Sequence, residues 1–236
     1  MSGHSHFSSI KHKKAITDAK RSNIFSKIAR EITLAAKDEG DPDANPRLRA
    51  VMDKAKDVNM PLDNVTRATK RGTGEEKGQM LEEILVEAYG PGGVAILIEG
   101  ITDNKNRSLG EIRLILGKYG GKPVDGGAVQ WLFEKRGIVT ATTSLLKDEA
   151  ELAAIDAGAE DVEWDEEIIE LQTNPTALEQ LRKSAEEKEF TIESSLLGWV
   201  AKEPLEIDEK TQEKIETLFE ALDDQDDVQN IYSNIK

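Results

Sequence analysis

A chain of 236 residues, 38% hydrophobic and 33% charged, is long enough for one to three domains with buried cores, which excludes a wholly disordered polymer. Without cysteine it can have no disulfide, thiolate zinc site or cysteine nucleophile, and no apolar run approaches the roughly 20 residues that span a bilayer. The net charge of −15 argues against a polyanionic partner only until it is divided: residues 1–77 carry 16 Lys+Arg against 11 Asp+Glu, residues 78–136 carry 7 against 8, and residues 137–236 carry 8 against 27.

The first 77 residues read as three helices. From Lys13 to Lys37 there is no proline or glycine, and Phe25, Ile28, Ile32 and Ala35 recur at helical spacing. Asn45-Pro46 supplies a cap and a first-turn proline, and Leu48, Val51, Met52 and Ala55 follow as a second apolar stripe. Asn59-Met60-Pro61 opens a third helix, with Leu62, Val65 and Ala68 expected inward and Lys70-Arg71-Gly72 as its end. Residues 73–78 read as a linker.

Beyond Gly78 the period changes. Residues 84–88 and 94–99 predict two strands joined by Gly90-Pro91-Gly92-Gly93, and Ser108 with Glu111 has the spacing of a capping box. Leu109, Ile112 and Leu116 supply that helix's stripe, residues 117–127 read as a turn region, and residues 129–133 as a strand. Residues 138–142, 145–157, 161–164, 168–172, 176–187 and 191–200 then predict β-α-β-β-α-β, the split βαβ pattern. Asp208 caps a last helix bearing Ile215, Leu218, Phe219 and Leu222, and a short strand at 228–232 follows. The expected fold is α+β, with an N-terminal three-helix domain (1–77) and two ferredoxin-like α/β domains. The third (137–203, acidic) is inserted into the second (78–136 plus 204–236).

The first 37 residues hold eight basic against two acidic side chains and all three histidines, His4, His6 and His12. Lys13, Lys20 and Lys27 are seven apart, so at 100° per residue they form a nearly straight row about 21 Å long. The apolar stripe lies roughly 80–140° away from Lys20 and is free to face a core. Lys11, His12, Lys14, Arg21 and Arg30 widen the basic side, and Arg67, Lys70 and Arg71 join from the third helix. Solvated helix faces usually mix signs, and this one hardly does, which points to a row of phosphates. DNA and RNA fit the row equally.

These residues also carry a resemblance. Gly3-His4-Ser5, residues 10–15, Asp18-Ala19-Lys20-Arg21, Phe25-Ser26-Lys27, Asn45-Pro46-Arg47-Leu48, Asn59-Met60-Pro61, residues 89–94, residues 102–107 and residues 226–232 resemble the YebC/PmpR family, in the family's order and over nearly the whole chain. The resemblance implies a helical domain followed by two α/β domains, in a cytoplasmic transcriptional regulator that binds DNA. Relatives include a mitochondrial translational activator and proteins acting at the ribosome on proline-rich stretches. One departure is that His6-Phe7 stands where the family usually has Lys-Trp, which removes a fixed charge near neutral pH and reduces stacking area.

Other sites are not expected. His4, His6 and His12 have no cysteine or nearby acid to complete a metal set, the glycine clusters lack P-loop and dinucleotide spacing, and no histidine beyond residue 12 can serve a triad. Lys105 and Arg107 are weaker candidates for a second RNA contact. Sparse Trp and Phe argue against base-stacking platforms on the sheets. The expectation is a non-enzymatic regulator of gene expression, without cofactor or metal, cytoplasmic and monomeric, contacting DNA. The alternatives are a translation factor on rRNA or tRNA, and an adaptor whose acidic half docks a basic protein.

Overall fold

The computed structural model describes residues 18–165 and 167–236. Helix α1 (Asp18–Ala35) buries Ile28, Ile32 and Ala35, which share one face at i, i+4 and i+7. Helix α2 (Pro46–Asp57) starts where the Asn45 Oδ1 accepts from the Leu48 N–H at 3.0 Å. The same Asn45 amide donates to the Ala35 and Glu39 carbonyls, so one side chain closes the end of α1 and opens α2. Helix α3 (Leu62–Thr73) packs Ala68 against that core together with Leu48, Ala55 and Met60.

Two expectations about α3 fail. Leu62 is 76% exposed, because the inward face starts at Val65, one turn later. Gly72 does not end the helix, which continues to Thr73 and stops at Gly74, whose φ of 81° is the left-handed turn-off. Gly72 instead lies where α1 and α3 touch: a Cβ there would meet the Thr33 carbonyl oxygen at 2.4 Å.

The first sheet has the order β3-β1-β2-β8, all antiparallel. Strands β1 (Glu82–Tyr89) and β2 (Ala95–Thr102) pair from Glu82↔Thr102 to Tyr89↔Ala95 around the predicted glycine turn, where Gly92 and Gly93 have φ of 72° and 78°. Alternate residues Ile84, Val86, Ala88, Ile96 and Ile98 face helix α4 (Lys105–Lys118) and helix α7 (Glu209–Asp223), meeting Ile112, Leu116, Ile215, Leu218, Phe219 and Leu222. The opposite face puts Ala95, Leu97 and Tyr232 of β8 (Val228–Ser233) against Val129 and Phe133.

The third strand is β3 (Lys122–Val124), inside the stretch expected to be only turn, and residues 129–133 are not a strand of this sheet. Residues 130–132 form a single 3₁₀ turn, because the N–H groups of Gly127, Val129 and Gln130 donate to the buried Glu87 carboxylate instead of to a strand. Pro123 tolerates the edge position, where its missing N–H breaks no ladder. The capping box is also absent: Asn104 caps α4 by accepting from the Arg107 N–H, and Ser108 is buried within the helix.

The second sheet, β5-β6-β4-β7, is the split βαβ order. Strand β4 (Phe133–Thr143) starts earlier than residue 138 and pairs with β6 (Ile168–Thr173) and β7 (Phe190–Ala201), while β5 (Asp161–Asp165) lies outside β6. Its core joins Val139, Ala141, Ile169 and Leu171 to alanines of α5 (Lys147–Ala157) and to Leu181 and Ala185 of α6 (Leu178–Glu187). The chain leaves the first sheet after β3, builds all four strands of the second, and returns at α7 and β8. Glu99 joins the two sheets, accepting from the Trp199 indole at 2.8 Å and from the Tyr232 hydroxyl at 3.2 Å. Among the described residues, no helix is long and apolar enough to cross a membrane.

Candidate nucleic-acid interface

Helix α3 presents Arg67, Lys70 and Arg71 on one side. At 100° per residue Lys70 and Arg71 lie about −60° and +40° from Arg67, and the core residue Ala68 lies about 100° round the wheel. All three cations are exposed, and among the described residues only Arg71 has an ion pair, with Glu76 at 3.7 Å. Two of them stand in the last turn, where cations are favoured by the helix dipole. Arg21, near the start of α1, is exposed too, and Lys20 belongs to the first turn of that helix. Lys11, His12, Lys13 and Lys14, with the His6-Phe7 pair, lie outside the described residues.

Lys27 and Arg30 are placed differently from the straight solvent-facing row the sequence predicts. The Lys27 ammonium donates to Asp223 Oδ1 at 2.8 Å and to the Asp223 carbonyl at 2.6 Å, and its side chain is only 12% exposed. The Arg30 guanidinium donates to the Asp226 carbonyl and sits 2.9 Å from Asp227 Oδ1. Asn23 adds a bond to the Asp224 carbonyl at 3.2 Å. The lower side of α1 is therefore engaged by the acidic corner between α7 and β8.

Asp227 is the hub of that corner. Its Oδ2 accepts from Ser108 at 2.5 Å, from Arg107 at 2.8 Å and from Thr102 at 3.3 Å, and its carbonyl accepts from the Ile101 N–H. Burial opposes the charge, but the Ser108 hydroxyl and the Arg107 and Arg30 guanidiniums outweigh it and hold the carboxyl below the ordinary Asp value. Arg107, considered from sequence as an RNA contact, is thus tied to Asp227 and Asp103, whereas Lys105 stays exposed. Sequence reasoning missed this corner, although a signal exists. Asp223, Asp224, Asp226 and Asp227 crowd the C-terminus of a helix, where the dipole disfavours anions, so cations from elsewhere are required.

Chemically the described surface can attract and position anions. No group of three or more His, Asp or Glu suited to a metal occurs among the described residues.

The chain matches two domain families in succession: residues 5–75 match the TACO1/YebC protein N-terminal domain and residues 81–235 the TACO1/YebC second and third domain. A "Probable transcriptional regulatory protein" of Trichlorobacter lovleyi is 47% identical over 235 residues, covering 99% of this chain and 95% of that one. A protein of the same description from Geobacter sulfurreducens is 45% identical with the same coverage. A crystal structure of a conserved hypothetical protein from Aquifex aeolicus superposes with a TM-score of 0.88 at 39% identity, over 96% of this chain and 95% of that chain. The two family models together account for residues 5–75 and 81–235, and the chain belongs to the TACO1/YebC family.

Proposed function

We propose that this protein is a non-enzymatic, cytoplasmic regulator of transcription that binds duplex DNA as a monomer through its helical region, residues 1–77. The observation that carries this reading is the exposed triad Arg67, Lys70 and Arg71 on α3, beside the charge of a first 37 residues that hold eight basic and two acidic side chains in the sequence. Residues 137–203, with 17 acids against 5 bases, keep that part of the molecule off a polyanion and so orient it. The shared description of its relatives supports regulation of transcription in particular. Lys11, His12, Lys13, Lys14, Lys20 and Arg21 are assigned to phosphates with the α3 triad; Lys27 and Arg30 join only if DNA displaces the corner that holds them.

The test is DNA affinity across a salt series for the full chain, for Arg67→Gln/Lys70→Gln/Arg71→Gln, and for Lys11→Gln/Lys13→Gln/Lys14→Gln. Deleting residues 1–37 is unsuitable, because Ile28 and Ile32 form the helical core. Each phosphate contact removed lowers the slope of log affinity against log salt by about 0.9. The reading predicts a steep slope for the parent chain that falls by up to about 3 in each variant. A shallow parent slope, or variants indistinguishable from it, overturns the reading in favour of the adaptor. Tight ribosome binding with weak, sequence-blind DNA binding reassigns the target to rRNA or tRNA.

A further inference from the structure

A second cationic feature lies at the other edge of the first sheet. Helix α4 presents Arg113 to solvent, and β3, the edge strand, begins with Lys122. Between the helix and the loop after β3 runs an open groove of about 430 Å³, lined by Arg113, Lys122, Pro123, Val124, Asp125 and Ala128. Neither Arg113 nor Lys122 has an ion pair among the described residues, and Asp125 is the one acid of the lining.

Beside the groove stands Trp131, 64% exposed, the largest side chain left so open among the described residues. Its indole Nε1 donates to the carbonyl of Ala128, a lining residue, at 3.0 Å, and the Lys202 ammonium donates to the Trp131 carbonyl at 2.8 Å. The loop is fastened from beneath by Glu87, whose buried carboxylate accepts from Val129 at 2.7 Å, Gln130 at 2.9 Å and Gly127. Those backbone donors overcome the penalty of burial and keep Glu87 charged below the ordinary Glu range, so the fastening persists at neutral pH. The ring is held in the open and not packed away. With its N–H already used, it offers a partner only its π-face.

We propose that Trp131, Arg113 and Lys122 form a second binding site, for single-stranded nucleic acid: one unstacked base lies on the indole and the flanking phosphates lie on the two cations. A duplex does not fit this chemistry, since its base faces are already stacked on each other. The platform stands on the 3₁₀ turn of residues 130–132, off both sheets. The site goes beyond the helical DNA surface and does not depend on it: in the order β3-β1-β2-β8 it lies at the β3 edge, about 14 Å across the sheet from the β8 edge where α1 docks.

The test uses the full chain, a single-stranded 12-mer of thymidine or uridine, and the intrinsic fluorescence of its three tryptophans. The single strand is expected to quench the parent chain, and Trp131→Ala is expected to abolish that quenching and weaken binding roughly tenfold. Arg113→Gln/Lys122→Gln should lower the salt slope by about 1.4, at 0.7 per contact on a single strand. The α3 triple variant should leave single-strand quenching intact while weakening duplex binding, so the two sites fail separately. An unchanged urea midpoint shows that the exposed substitutions have not unfolded the chain. Single-strand affinity unaltered by Trp131→Ala, or equal quenching by a duplex, overturns the proposal. So does a protein partner whose capture the groove variants abolish while oligonucleotide binding stays unchanged.

Discussion

Asp227 shows how one carboxylate can depend on residues more than a hundred positions away. Its Oδ2 serves three donors, while Oδ1, among the described residues, has only the charge of Arg30 and no hydrogen-bond partner. Asp227→Asn keeps the shape and removes the charge, which should destabilise the chain by about 2 kcal/mol in urea unfolding. Because its folded pKa lies below the unfolded value near 3.9, Asp227 contributes its full stability above about pH 4 and loses it as pH falls through the lower folded value. Acid unfolding of the variant should therefore be less steep than that of the parent below pH 4. Gly72→Ala is a steric case. The added Cβ would press on the Thr33 carbonyl oxygen at 2.4 Å and the Ala36 Cβ at 2.6 Å, neither of which can rotate away. A loss of about 1–3 kcal/mol is expected from this overpacking, read as a lower thermal midpoint of the helical region. Nothing in the pattern Lys70-Arg71-Gly72 distinguishes a helix-ending glycine from one that admits a neighbouring helix. The contact with α1 decides it.

The elements themselves were readable where periodicity was long. The stripes Ile28/Ile32/Ala35 and Ile215/Leu218/Phe219/Leu222 are buried as their spacing predicts, and the β-α-β-β-α-β run assembles in its expected order. The reading failed at β3 and at residues 129–133, because three residues among glycines carry no period and because Glu87, on another strand, draws the backbone donors of residues 127–130 away from a ladder. The docking of α1 on the α7–β8 corner was equally hidden. Lys27→Gln/Arg30→Gln should loosen that docking without dissolving the helical core of Ile28, Ile32 and Leu48. Amide hydrogen exchange should then accelerate at the α1 face and at residues 223–227, with β1, β2 and the second sheet as protected as before. Acceleration throughout both sheets would instead make the pair a global support.

For the whole molecule, charge is sorted by position in the chain, and the fold keeps that sorting except at one seam. Of the 27 acids of residues 137–236, 17 precede residue 204 and belong to the second-sheet part, whereas Asp223, Asp226 and Asp227 return to meet Lys27 and Arg30 of α1, and the α3 triad stays open on the helical region. Exposed carboxylates far from the basic surface should then weaken DNA binding only through long-range repulsion. Glu149→Gln/Glu167→Gln/Glu203→Gln is expected to raise DNA affinity about twofold at low salt, an advantage that vanishes near physiological salt as the screening length falls to about 8 Å. A gain that persists at high salt would mean that these acids touch the partner directly.

From the chain alone followed the family, the α+β class, the helical start, the enclosed second sheet and the division of charge, since these rest on composition, local periodicity and ordered motifs. The tertiary structure alone decided which cations are available. Lys27 and Arg30 are held by aspartates 196 positions away, while Arg67, Lys70 and Arg113 stand open, because ion pairing is governed by distance in space and the screening around it. The same holds for Trp131: hydrophobicity would place an indole inside, and only the loop anchored by Glu87 holds it outside.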